Sequence, residues 1–334
     1  MDRATFKGLA AKGLAAAEVT ELARQLKQAS GGLSGDGQGI QEAQEAQLEL
    51  GASFAHAAFT APDRIAEVYD SAAEGWLGEP VLGPPIATFH EPPVDIAESL
   101  WTEYWSVIDD FAAGTLGTQI TPRTAALNGY AVPDFLSRAA RAALTYPGVS
   151  EAAATGYPDK FTLDALARCP QESLGNSFYH WIVDNGFDLE VLDRDELGLS
   201  EYEPPLDYLN ARILQCHDLW HIVGGYQTTI LHELAISGFQ MAQFGHNYSA
   251  TFMAVVTVGT SLREPAGFGL VMDMIATSWK HGRETPSMIG VRWDSVWDEP
   301  TQAVRDKLGV SPYESPYPPD LVEQLQTAAV AAEG

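Results

Sequence analysis

Apolar residues recur at three- and four-residue intervals along most of this 334-residue chain and rarely alternate, so the pattern predicts helices and very little strand. Residues 18–29 read as a helix ended by Gly31 and Gly32, with residues 30–39 as a flexible linker. The start of the chain is mildly amphipathic and reads as an ordinary helix. Residues 41–60 and 64–73 are further helices. Pro80, Pro84, Pro85, Pro92 and Pro93 then form a hinge that no helix can cross. Beyond it Trp101, Tyr104, Trp105 and Ile108 recur at helical spacing, as core or as the lining of a cavity. Residues 137–144 and 173–183 are helical, and Gly186 stands where a left-handed cap belongs. Pro265 opens a helix whose apolar face carries Phe268, Val271, Met272, Ile275 and Trp279. Met241, Met253, Met272 and Met274 are adaptable filling or lining for a flexible ligand. Pro300 and Gly309 bracket a short helix, residues 311–319 are extended, and a last helix follows. The fold class predicted is all-α.

One helix carries unusual polar residues. If residues 207–223 are helical, His217 and His221 lie one above the other with Asp218 on their flank, on a stripe that also holds Leu209, Ile213, Leu214 and Trp220. Imidazoles and a carboxylate crowded into an apolar stripe need a partner, and a divalent cation is a natural one. Glu233 lies twelve residues beyond His221, about 18 Å away on an unbroken helix at roughly 1.5 Å per residue. It joins the group only if Gly224-Gly225 turns the chain back and a second helix over residues 227–244 returns beside the first. The set would suit zinc, and also iron or manganese. The alternative is that the histidines are satisfied core residues and the aspartate a cap or salt-bridge partner. Cys216 adjoins His217 as a further candidate ligand, although it would sit on the helix's other side.

Composition narrows the remaining classes. With 45 acidic and 19 basic residues the net charge is −26, which repels nucleic-acid phosphates and anionic lipid, so no nucleic-acid partner is expected. A visit to a membrane would have to be driven by apolar contact. Two cysteines, Cys169 and Cys216, are too few for a disulfide framework. No segment has the roughly 20 apolar residues of a membrane helix, and no secretory signal is evident. The Ala- and Gly-rich composition suggests a bacterial source; a cytoplasmic location, at most peripheral to the inner face of the membrane, and a homo-oligomer are expected. The Gly35-x-Gly37 pair has no preceding strand and reads as loop.

The segment HDLWHIVGGYQTTILHE resembles the HDxxH, eleven residues, then E signature of the coenzyme Q (ubiquinone) biosynthesis family Coq4. QESLGNSFYHWIVDNGF upstream and RWDSVWDEPTQAVRDKLGV downstream are similar to that family's flanking segments, and ASFAHAAFTAPDRIAEV resembles its opening helix more weakly. Where the family usually has a glycine before the glutamate and a lysine four residues after it, this chain has His232 and Ser237. The resemblance implies a helical protein whose metal site lies between two helices beside an apolar lipid cavity. It implies His217, Asp218, His221 and Glu233 as ligands of zinc, or of iron(II) or manganese, with Asp218 and Glu233 as candidate catalytic groups. It implies a prenylated quinone precursor or other lipid as ligand, and other quinone biosynthesis enzymes as partners. The implied activity is oxidative decarboxylation and hydroxylation at ring C1, and a non-catalytic scaffold with a structural metal is the alternative. The domains expected are an N-terminal helical extension (1–95), a Coq4-like helical domain (96–319) and a tail helix (320–334).

Two hydrolase readings compete. A zinc peptidase would need HExxH, and Asp218 is one methylene shorter than that glutamate. A phosphohydrolase built on a His-Asp pair needs another histidine and aspartate on the same ion, for which His180 and Asp273 are the candidates.

Overall fold

The computed structural model describes residues 1–30, 37–190 and 192–333. Its helices, in order, are α1 (Arg3–Lys12), α2 (Ala16–Ser30), α3 (Gly37–Phe59), α4 (Ile65–Leu77), α5 (Glu98–Ala113), α6 (Ile120–Leu127), α7 (Pro133–Ala143) and α8 (Val149–Ala153). They continue with α9 (Leu163–Leu166), α10 (Leu174–Asn185), α11 (Leu206–Gly224), α12 (Ile230–Phe244), α13 (Asn247–Arg263), α14 (Phe268–Glu284), α15 (Thr301–Leu308) and α16 (Leu321–Glu333). Among the described residues the β-structure is a single isolated bridge between Ser173 and Pro300, so the fold is all-α as expected.

The chain forms two compact units, one of residues 1–142 and 237–284, the other of residues 143–236 and 285–334. This division is discontinuous in sequence and describes compactness; the linear segments read from the sequence, divided at 95/96 and 319/320, describe something else. Of the linker read at residues 30–39, residues 31–36 lie outside the described residues, as does Gly35 of the Gly35-x-Gly37 pair, while Ser30 ends α2 and Gly37 opens α3.

The first unit is built around aromatic packing. Phe6 of α1 stacks on Tyr104 at 6.1 Å and meets Trp105 edge-on at 5.1 Å, while Phe59 closes on Tyr104 at 5.3 Å. Trp101, Tyr104 and Ile108 are almost fully buried, so the aromatic stripe of α5 is core of this unit. Trp105 is half-buried under the Arg3 guanidinium. Met241, Met253, Met272 and Met274 are all buried. Helix α13 is covered on every side, which removes the apolar period from its sequence. Small residues let neighbours approach: a Cβ on Gly51 would stand 2.6 Å from Val258 Cγ2. The start of the chain is two helices, parted at Gly13, which takes a φ of +71°.

In the second unit α10 starts from Ser173, whose hydroxyl accepts the Asn176 N–H at 3.2 Å, and ends at the left-handed Gly186. Its first free N–H groups donate to the carbonyls of Glu299 and Trp297 at 2.7 and 2.9 Å, tying it to the chain before α15. Phe161, Phe178 and Trp297 fill the space between. Helix α11 is held at both ends. Arg212 near its start donates to the carbonyls of Ile289 and Val291, and Arg305 of α15 donates to the carbonyls of Ile222 and Val223 at 2.6 and 2.9 Å. The last carbonyls of a helix have no partner within it, so the half-buried Arg305 satisfies them and complements the helix dipole.

Candidate metal centre

The turn after α11 decides the site. Gly225 caps the helix at φ +81°, ψ +27°, donating its N–H to the His221 carbonyl at 3.0 Å. A Cβ there would lie 2.8 Å from Pro312 Cβ and 3.0 Å from its Cα, so both the left-handed angle and the close approach demand glycine. The chain reverses through residues 226–229, and α12 begins at Ile230, three residues later than the sequence pattern suggests. The difference has a cause: the Gln227 N–H donates to His232 Nδ1 at 2.8 Å, a side-chain bond that holds residue 227 in the turn. Glu233 falls in the first turn of α12, its N–H bonded to the Thr229 carbonyl at 2.8 Å.

The reversal brings three of the four candidate residues face to face. His217 Nε2 and His221 Nε2 are 3.2 Å apart, and the Glu233 carboxylate stands 3.4 Å from each, through Oε2 to His217 and Oε1 to His221. Asp218 offers an oxygen within 4.8 Å of a nitrogen on each histidine, so His217, Asp218 and His221 form a candidate metal group. Cys216 is not in it. Its thiol is fully buried, and burial pushes it up to about 11, so it behaves as packing. His180 pairs with Asp184 at 3.3 Å on the exposed side of α10, and Asp273 accepts from Trp76 Nε1 at 2.7 Å and from Lys27. Each of the two residues the phosphohydrolase reading needs is thus engaged with a partner of its own.

The donor spacing fits an ion. With bonds of about 2.0–2.2 Å, as for zinc on imidazole and carboxylate, a tetrahedral site sets its donors roughly 3.3–3.6 Å apart. The three separations here are 3.2, 3.4 and 3.4 Å. Enclosure by protein pushes the Glu233 carboxyl up, but the hydrogen bonds and charges of His217 and His221 outweigh it and hold that group well below the usual carboxylate range. It is therefore an anion at neutral pH, the state an ion requires. The site is closed on one side and open on the other: the His221 side chain is 0% exposed, that of His217 28% and that of Glu233 45%.

Surrounding groups that the sequence pattern did not assign to the centre support this arrangement. Trp181 of α10 lies over His221 with ring centroids 5.6 Å apart. Both its Nε1 and His221 Nδ1 are buried without a hydrogen-bond partner. Tyr226 stacks on Tyr313 at 4.7 Å, and His232 meets both rings edge-on at 6.0 and 5.7 Å. Trp181 and Arg305 stand within the upstream and downstream segments quoted for the family resemblance; for Tyr313, brought here by tertiary contact alone, no local pattern gives a signal.

Residues 157–314 match the model of the family described as coenzyme Q (ubiquinone) biosynthesis protein Coq4. A mitochondrial ubiquinone biosynthesis protein COQ4 homolog from Bos taurus is 28% identical over 157 residues, covering 45% of this chain and 56% of that protein. The mitochondrial ubiquinone biosynthesis protein COQ4 of Eremothecium gossypii is 27% identical over 189 residues, covering 54% and 52%. The chain thus spans about half the length of the curated relatives it matches. A crystal structure of a Nostoc punctiforme protein aligns with 63% of this chain and 98% of its own at 23% identity and a TM-score of 0.48. The matched segment encloses the whole candidate centre, from Trp181 through His217, Asp218, His221 and Glu233 to Tyr313, so over residues 157–314 the chain is similar to the coenzyme Q (ubiquinone) biosynthesis protein Coq4 family.

Proposed function

We propose that this chain is a metal-dependent enzyme of quinone biosynthesis that replaces the C1 carboxyl of a prenylated 4-hydroxybenzoate-type precursor by hydroxyl. The observation that carries the reading is the trio of donors 3.2–3.4 Å apart, open on the Glu233 side. The match of residues 157–314 to a ubiquinone biosynthesis family supports the substrate class. Overall the acid, water and dioxygen become the phenol, carbon dioxide and hydrogen peroxide, a two-electron oxidation of the ring. A divalent ion in this centre, zinc or else iron(II) or manganese, supplies Lewis acidity, and iron(II) adds redox access to dioxygen.

The residues divide the work. His217 and His221 present their Nε2 atoms, and the buried ring of His221 fixes one of them. Glu233, ionised at neutral pH, balances positive charge and remains a ligand candidate. Asp218, half-buried beside His221, is a further ligand or the group that carries a proton. An apolar cavity for the prenyl tail, a membrane-peripheral location and a homo-oligomeric state go with this proposal.

The scaffold reading, in which the ion only staples two helices, predicts an enclosed ion. The 45% exposure of the Glu233 side chain favours an open one. The test is incubation of metal-loaded protein with a prenylated 4-hydroxybenzoate, with and without oxygen, following carbon dioxide and ring products. Decarboxylation in air supports the proposal; none under either condition, from protein shown by elemental analysis to hold its ion, leaves the scaffold.

A further inference from the structure

We infer that the C-terminal helix α16 latches the first turn of α12 through Glu323 and His232, and thereby positions Glu233. This rests on the metal reading of the centre, and goes beyond it because Glu323 lies outside residues 157–314, the segment that the family model matches.

Three observations carry it. First, Glu323 Oε1 accepts the Ile230 N–H at 2.8 Å, across 93 residues. Ile230 opens α12, so its N–H is one of the donors a helix start leaves without an internal partner, and a carboxylate there also complements the helix dipole. Second, His232 Nδ1 accepts the Gln227 N–H at 2.8 Å, which places the ring proton of the neutral imidazole on Nε2. That Nε2 is buried without an acceptor, and Glu323 Oε2 is buried without a donor. The two are chemically complementary, an N–H without an acceptor and a carboxylate oxygen without a donor, and a single bridging water would satisfy both. Third, Tyr226 and Tyr313 hem in the His232 ring, so it cannot swing away. Helix α16 is otherwise largely exposed, with Leu325 57% exposed, and its hold on the unit is concentrated at this end. Glu233 is one residue from His232 and three from Ile230, so fixing both sets the pitch at which its carboxylate faces the imidazoles.

The test uses full-length protein carrying Glu323→Ala, Glu323→Gln or His232→Gly, titrated with cobalt(II) from the metal-free state. Visible d–d absorption reports coordination geometry, and the titration reports affinity. Glu323→Ala is expected to weaken cobalt binding about tenfold, the lower end of the effect seen for partners that orient ligands, and to alter the band intensities. Glu323→Gln, which keeps an acceptor for Ile230, should lose less. Adding His232→Gly to Glu323→Ala should cost less than His232→Gly costs alone, because the two act as one unit while the Gln227 bond to His232 is lost in either background. Unchanged affinity and spectrum in folded Glu323→Ala overturns the latch. If the unaltered protein takes up no cobalt, the metal reading fails instead. Amide hydrogen exchange over residues 230–233 then decides the latch alone: Glu323→Ala accelerates it if the latch exists, and leaves it unchanged if not.

Discussion

Removing the His217 imbidazole-bearing side chain as His217→Ala takes away one of three donors while leaving the buried His221 and the helix intact. Metal affinity should fall by more than the roughly 10–100-fold that loss of an outer-shell partner causes, with the far-UV circular dichroism unchanged. Elemental analysis and a melting curve check both halves; loss of fold along with metal would instead mark the ion as a staple. His56 in the first unit offers an independent residue-scale prediction. It is almost wholly buried, its Nδ1 donates to the Ala10 carbonyl at 2.8 Å, and its Nε2 faces Arg64 at 3.1 Å. Burial is the main reason its value drops to about 4 from the usual 6.5; the Arg64 charge adds to this, and the Ala10 bond opposes it. Since the unfolded chain takes up a proton below about 6.5 and the folded one resists until about 4, His56 stabilises fully above the upper value and loses that contribution as pH falls through the window. The loss is roughly 3 kcal/mol. Denaturant titrations at pH 7 and 4.5 should show a smaller difference for His56→Gln than for the unaltered protein; equal differences would refute the assignment.

At the scale of elements, what the sequence made legible follows from which signals are local. The helix that carries His217 and His221, its end at Gly225, the cap at Gly186 and the stop at Gly309 are written in periodicity and glycine, and the structure has them in place. Helix α13 was not legible as an element because, buried all round, it has no polar face to set a period. The short helices α6, α8 and α9 hold too few turns for a period to register. At the centre, the histidine pair and the distant glutamate were readable from spacing. Glu323 was not, because its role comes from a contact 93 residues away. The Gly225 turn is where element and site meet. Gly225→Ala would force a side chain into a left-handed angle and against Pro312, a destabilisation of roughly 1–3 kcal/mol. Because the turn sets how α12 returns, weaker metal binding should accompany the shift in urea midpoint. A stable variant with unaltered metal affinity would show that the return of Glu233 does not depend on this angle.

The charge of the whole chain bears on how a lipid-bearing substrate would reach it. Among the described residues no helix is long and apolar enough to cross a membrane; under the proposed function, a prenylated precursor would be met by contact at a bilayer surface. A net charge of −26 opposes approach to an anionic surface, and the opposition is long-ranged only when salt is low. Apolar side chains exposed on the second unit, among them Val183, Phe187, Leu197 and Ile230, provide contact that salt does not screen. These two forces have opposite salt dependence. Association with vesicles of neutral phosphatidylcholine should therefore change little between low and physiological salt, whereas association with vesicles containing a third anionic lipid should be weaker at low salt and recover as salt is added. Co-sedimentation across a salt series measures both. The opposite order, tighter binding to anionic vesicles that salt abolishes, would mean that a local basic patch governs the approach in spite of the net charge.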